Sequence, residues 1–328
     1  MCDFERTWPC EGLPMGQVNA HLGDELMVRV GVPHKSGSLA FHAFNQEYPA
    51  MVSASAFWNS AKGQFTVPEA SDLYECDWAL DSAGFTAVKN WQSKGTQRGM
   101  AGIFPWTAAQ YVEAASMLNP AWWSQPDLCV EEEVLRNPQD LAFRLNATAT
   151  LLESSLRLVY EWQNELARTC NSTVVANLVR PPVPIIQGWE KQDYRYSLDL
   201  MMQVWERWMP WLSAPKLIGL GSVCRRTTSH PRHGLYSILS CLDGNLPAGA
   251  KLHLFGVKGT SLDEVKKLPW VASTDSMAWD ASARIAAHKE KRSNTMVHRK
   301  SEMTRWMASA AKRAATQVGG QRELSLFA

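Results

Sequence analysis

The feature that most constrains this chain is a rhythm in which short apolar runs ending on small or polar residues alternate with stretches of helical periodicity. Eight runs fit the strand pattern: residues 39–45, 51–55, 78–84, 122–127, 183–189, 217–223, 252–257 and 271–275. Between them lie helix signals with identifiable start chemistry. Asn137 directly before Pro138 marks an N-cap and first turn, and apolar periodicity then runs over residues 141–166. Ser261 with Glu264 three residues on fits a capping box. Strands alternating with helices call for a parallel sheet covered by helices, and about eight such units match an α/β fold of the (β/α)8 TIM barrel type. A doubly wound sheet is the alternative, because both architectures bury apolar parallel strands behind helices.

Composition sets the class. With 45% hydrophobic and 20% charged residues among 328, the chain reads as a soluble globular protein, which excludes disorder, collagen and coiled coil. No apolar run is long enough to span a bilayer, and the first residues lack a signal-peptide core. The seven cysteines are scattered without a CxxC pair, so reduced thiols and a cytoplasmic location are expected. No linker composition divides the chain. One barrel domain over residues 1–328 is expected, with basic C-terminal helices over 285–328 packed on it.

Net charge is +1, from 33 basic and 32 acidic residues, yet the average hides segregation. Residues 281–328 hold ten Lys or Arg and three Glu, a charge of +7, which leaves −6 for the first 280. Such a basic end suits a polyanion, with Arg284, Lys289, Lys291 and Arg292 as candidate nucleic-acid contacts; a solvated basic helix pair is the other reading.

In a barrel the chemistry sits at the C-terminal ends of the strands. Three of the apolar runs end on an aspartate: Asp81, Asp127 and Asp275. Each alone also fits a turn or an N-cap. Three carboxylates converging on one mouth would raise the pKa of at least one, the arrangement that separates a nucleophile from a general acid/base. Phe85 and Phe255 follow two strand ends and could sandwich a planar heterocycle, or serve as ordinary core rings. Gln187 and the backbone of residues 219–222 add donors and acceptors of the kind that read a base edge. The same glycine-rich strand end also offers a weak phosphate site, the mark of a different class of barrel enzyme.

Five motifs carry a resemblance: LDSAGF (80–85), VPIIQG (183–188), IGLGSV (218–223), LHLFGV (252–257) and TDSMA (274–278). In this order they resemble the guanine transglycosylases, the queuine/archaeosine tRNA-ribosyltransferase-like family that exchanges guanine for a 7-deazaguanine in nucleic acid. The resemblance implies a (β/α)8 barrel and a pentosyltransferase reaction through a covalent glycosyl-aspartate. It implies Asp275 as nucleophile and Asp81 as general acid/base, with Asp127 and Gln187 reading the guanine edge. Gly188, Gly219, Leu220, Gly221 and Ser222 would line the base, and Phe85 and Phe255 would stack on it. Leu220 departs from the family pattern, which often has a second glycine there.

The family's tRNA enzymes hold zinc on cysteines after the nucleophile strand, whereas the last cysteine here is Cys241, upstream of Asp275. The stretch after the barrel also looks too short for the extra RNA-binding domains of archaeal relatives. Both points favour the DNA 7-deazaguanine transglycosylases of phages and bacterial DNA-modification clusters, with a preQ0-like base as the incoming group. The expected partners are DNA, double-stranded with a flipped guanine, and a free 7-deazaguanine base, with no membrane. Arg225 and Arg226 join the candidate phosphate contacts. No cofactor is required, since there is neither a Walker loop nor GxGxxG. The missing cysteine cluster leaves zinc undecided. Cys224, His230 and His233 have metal-like spacing without an evident fourth ligand. The competing functions are a tRNA-guanine transglycosylase and a barrel that binds DNA without catalysis.

Overall fold

The computed structural model describes residues 22, 23, 25–209 and 211–315. Eight parallel strands run in chain order: β1 (Met27–Val32), β2 (Ala50–Ser53), β3 (Trp78–Asp81), β4 (Trp122–Trp123), β5 (Ile185–Ile186), β6 (Leu217–Leu220), β7 (Lys251–Leu254) and β8 (Val271–Ser276). Each pairs with its sequence neighbour, and β8 returns to β1 with Met27 opposite Ser273 and Arg29 opposite Asp275. Between β4 and β5 the join is a single bridge, Ser124 to Val183. There the Val183 N–H donates to the Trp123 carbonyl at 2.8 Å and the Gln125 N–H to the Val183 carbonyl at 3.0 Å. The sheet is therefore a closed (β/α)8 barrel, as its strand-helix alternation indicates, and not a doubly wound sheet.

Helices follow the strands: α1 (Ser38–Asn45), α2 (Gly84–Lys94), α3 (Ala108–Leu118), α4 (Pro138–Leu166), α5 (Ser172–Leu178), α6 (Lys191–Glu206), α7 (Leu235–Leu242), α8 (Leu262–Val265), α9 (Ala278–Lys289) and α10 (Met296–Ala314). Asn137 caps α4, accepting from the Asp140 N–H at 2.8 Å ahead of Pro138. The Ser261–Glu264 capping box does not form. Ser261 makes no side-chain cap and Glu264 pairs with Lys267 at 2.9 Å, because a short turn of 3-10 helix already carries Ser261 into α8.

One strand expectation needs correction, and one strand was missed. Residues 39–45 form α1, with Leu39, Ala40 and Ala43 buried and Phe41 and Phe44 exposed, which is helical spacing inside an apolar run. The missed strand is β1, whose apolar run is broken by Arg29. That guanidinium lies buried inside the barrel, donating to the Asp77 carbonyl at 3.0 Å and pairing with the Asp77 carboxylate at 2.9 Å.

Side chains inside the barrel form a small apolar plug of Met51, Ala79, Trp122, Ile185, Leu217 and Ala272. Arg29 and His253 join it, with the Arg29 guanidinium 5.7 Å from the Trp122 ring and the His253 ring edge-on to it at 4.9 Å. The larger core lies outside the sheet, beneath the helices, and takes in Trp123, Trp205, Trp208 and Trp211. α10 packs over α9, α1 and β1, which seats the basic segment on the barrel up to residue 315. The remainder, Arg322 included, lies outside the described residues.

Candidate active site at the mouth of the barrel

Strand parity aims the first carboxylate. Along β3, Trp78 and Leu80 face the helices while Ala79 faces the interior, so Asp81 points inward at the strand's C-terminal end. Its Oδ2 accepts the Ala83 N–H at 3.0 Å. Parity alone would send Asp275 outward, because Ala272 already faces inward. A β-bulge intervenes: the register between β7 and β8 slips between Val271 and Ser273, so that Ser273 pairs with His253. The extra residue turns Ser273 and Asp275 inward, a common use of bulges beside active sites. Asp275 Oδ1 then accepts the Gly256 N–H at 2.8 Å, from a turn in which Gly256 has φ +67°.

Asp127 lies beyond β4, 8% exposed, accepting from Ser82 Oγ and from Gln187 Nε2. The orientation of the Gln187 amide follows from its neighbours. Ser222 Oγ accepts the Val130 N–H at 2.8 Å, so its own proton goes to Gln187 Oε1 at 2.6 Å, which turns Nε2 toward Asp127. A polar chain Ser222–Gln187–Asp127–Ser82 results, with one Nε2 hydrogen and the remaining carboxylate lone pairs available to a ligand.

The carboxylates sense one another. Burial pushes Asp81 up to about 7, and the nearby charges of Asp127 and Asp275 add to the rise, while the Ala83 N–H and Ser53 pull against it. Asp127 is pushed up to about 6 by burial, offset by its bonds from Ser82 and Gln187. Near neutrality Asp81 is therefore divided between acid and base, the condition for proton transfer in both directions.

The glycines provide space. A Cβ at Gly219 would lie 2.2 Å from Ile185 Cδ1 and 2.6 Å from the Phe255 ring, and one at Gly221 would lie 2.2 Å from Gln187 Nε2. Their N–H groups are engaged in the sheet, Gly219 to the Pro184 carbonyl and Gly221 to that of Ile186. The Leu220 carbonyl takes the Phe255 N–H, and the Leu220 side chain is buried under the helices. Gly188 gives its carbonyl to Arg226. Phe255 reaches the mouth beside His253, with ring centroids 4.6 Å apart. Phe85 opens α2, with the Lys89 ammonium 5.3 Å over its ring.

The basic candidates separate. All five Arg226 N–H groups are engaged: with the carbonyls of Ser222, Trp189, His233 and Gly188, and with the Tyr194 hydroxyl. It pins the loops after β5 and β6 and has no donor left for a phosphate. Arg225 beside it is 70% exposed at the same rim, pairing with Glu133 at 3.0 Å. Arg284 is exposed and 3.4 Å from Asp280, which Arg299 also holds at 2.7 Å. α9 starts at the mouth, and its length carries Lys289, and with it Lys291 and Arg292, about 16 Å along the helix axis away from it.

Cys224, His230 and His233 do not fit a metal. The two imidazoles stack at 3.5 Å, His230 Nδ1 faces the N–H groups of Arg232 and His233, and Cys224 packs against Gly256. Among the described residues no group of three or more His, Cys, Asp or Glu is arranged to hold an ion, and no helix is long and apolar enough to cross a membrane. Sequence reading passed over His253 and Arg29 as site components, although His253 stands inside the LHLFGV motif as a polar residue on a buried strand.

A closed (β/α)8 barrel with three aspartates and an amide at its mouth has the architecture of a base-exchanging transglycosylase. Residues 59–298 match the family model for DpdA, deoxypurine in DNA protein A, and the chain belongs to that family of DNA 7-deazaguanine transglycosylases, related to the tRNA-guanine transglycosylases. No curated protein matches the chain. It is thus a transglycosylase that modifies guanine in DNA.

Proposed function

We propose that this enzyme replaces guanine in DNA with a preQ0-like 7-deazaguanine through a covalent glycosyl-aspartate on Asp275. The observation that carries the proposal is the convergence of Asp127 and Asp275 on Asp81 at one mouth, where their charges help to raise it, in a chain of this family. A guanine stacked in a duplex cannot present C1′ to a carboxylate at a barrel mouth, so the nucleotide is flipped out. Asp127 accepts from guanine N1–H and the exocyclic amine, and the spare Gln187 Nε2 hydrogen meets O6. A 7-deazaguanine bears the same edge, so one pocket receives both the leaving and the entering base.

With Oδ1 held by the Gly256 N–H, Asp275 attacks C1′ through Oδ2. The new C–O bond forms as the C1′–N9 bond breaks, and Asp81 supplies the proton that the departing guanine needs. The incoming base then gives its N9 proton to Asp81 and bonds to C1′, and the ester's electron pair returns to Asp275. Two displacements retain the anomeric configuration. Arg225, exposed at the rim, meets a DNA phosphate in this reading.

Asp275→Asn should abolish exchange of labelled guanine into DNA and the denaturation-resistant protein–DNA adduct. Exchange at the parent rate would overturn the proposal. Label appearing in tRNA instead of DNA, or DNA bound with no exchange at all, would favour the competing functions.

A further inference from the structure

We propose that His253 is a positioning residue for Asp275: its Nε2–H closes on carboxylate oxygen Oδ1 and stabilises the carboxylate as it leaves in the second displacement. This rests on the reading of Asp275 as nucleophile. The ring is fully buried inside the barrel, edge-on to Trp122 at 4.9 Å and to Phe255 at 4.6 Å, so its plane is fixed. Nδ1 lies 2.8 Å from Ser273 Oγ, on the residue that the bulge turns inward. Nε2 faces Asp275 Oδ1 at 3.4 Å without hydrogen-bond geometry and, among the described residues, is a buried nitrogen with no hydrogen-bond partner, so it has a proton to give as the carboxylate closes on it. When the Ser273 hydroxyl donates to Nδ1, the imidazole proton is on Nε2, aimed at the carboxylate. Burial, helped by the Arg29 charge, pushes the ring toward its neutral form against the pull of Asp275, so it is a dipole and not a second cation beneath the site.

The consequence differs between the two displacements. Donors on Oδ1 are strongest when the oxygen is charged and weaken when the carboxylate becomes an ester. Breaking the C1′–O bond returns an electron pair to the carboxylate, and the bond from His253 tightens as that charge grows. The proton stays on Nε2 throughout, and no other reactant is needed. Loss of the donor therefore slows breakdown of the glycosyl-enzyme more than its formation, and the adduct accumulates.

The test uses the full chain, substrate DNA and labelled guanine as incoming base. His253→Phe fills the space without a donor, His253→Gln keeps an N–H near Nε2, and Ser273→Ala removes only the hydroxyl that sets the tautomer. His253→Phe should lower kcat about 10- to 100-fold, the range for losing one hydrogen bond to a charged group. KM for DNA should fall together with kcat, leaving kcat/KM for DNA within about twofold, because slowing only the breakdown step lets the glycosyl-enzyme accumulate. Denaturation-resistant adduct should increase, and His253→Gln should recover most of the rate. Unchanged kcat, adduct lost in step with rate, or a Gln variant no better than Phe would overturn the proposal. If His253→Phe does not fold, Ser273→Ala decides, with a severalfold fall in kcat and more adduct expected, and unchanged kinetics overturning it. If Asp275→Asn still exchanges guanine, the nucleophile reading itself has failed. An inert Asp275→Asn beside an unaffected His253→Phe removes the positioning role alone.

Discussion

At the scale of single residues, the site holds its chemistry in groups that the fold would be more stable without. Folded, Asp81 keeps its proton up to about pH 7, whereas an unfolded aspartate loses it at about 4. Between those values the folded chain binds more protons than the unfolded one, so stability contributed here falls as pH rises through that window. Asp81→Asn should therefore match the parent near pH 4 and exceed it by up to about 4 kcal/mol above pH 7, while losing exchange. Denaturant unfolding across pH checks this, and a variant less stable than the parent at pH 8 would contradict it. His253 and Arg29 illustrate how far a sequence can be read here. Both interrupt apolar strands, a pattern that makes a strand harder to recognise, yet both are polar because they face the barrel interior beneath the carboxylates.

At the scale of elements, β2 to β8 were legible because parallel barrel strands are buried on both faces and read as largely apolar runs, even where a single polar residue such as His253 faces the interior. The same rule misassigned α1, whose exposed Phe41 and Phe44 make a helix look strand-like. The bulge in β8 was invisible, since an extra residue leaves no compositional trace, and with it went the reason Asp275 faces inward. Adjacent arginines were equally opaque. Arg226 ties two loops through five hydrogen bonds, whereas Arg225 projects into solvent. Arg226→Met should cost about 2–4 kcal/mol of stability by stranding its acceptors. Arg225→Gln should leave stability unchanged and reduce the salt dependence of DNA binding by about one phosphate contact. Thermal melts and binding titrated against salt separate the two roles. Gly221→Ala places a methyl against Gln187, and should lower exchange about 10-fold or more by turning the amide, for a loss of one oriented base contact. A kinetically silent Gly221→Ala would mean that Gln187 does not read the base.

At the scale of the whole molecule, the division of charge seen in the sequence does not map onto a single basic face. Arg225 stands at the mouth, Arg284 near it, and Lys289, Lys291 and Arg292 toward the other end of the barrel. The wall itself is uneven. β4 and β5 are two residues each and meet through one bridge, Ser124 to Val183, while the Asp127–Gln187 hydrogen bond crosses the same gap just above it. A guanine gripped by both side chains would act as a clasp on the part of the wall with the fewest rungs. Free base should then slow hydrogen–deuterium exchange at the Val183 and Gln125 amides more than at those of β1, and uniform protection would show that the grip lies elsewhere. Recognition of the base and closure of the barrel would in that case be one event, with the empty enzyme free to breathe along a single seam and the loaded one stitched shut.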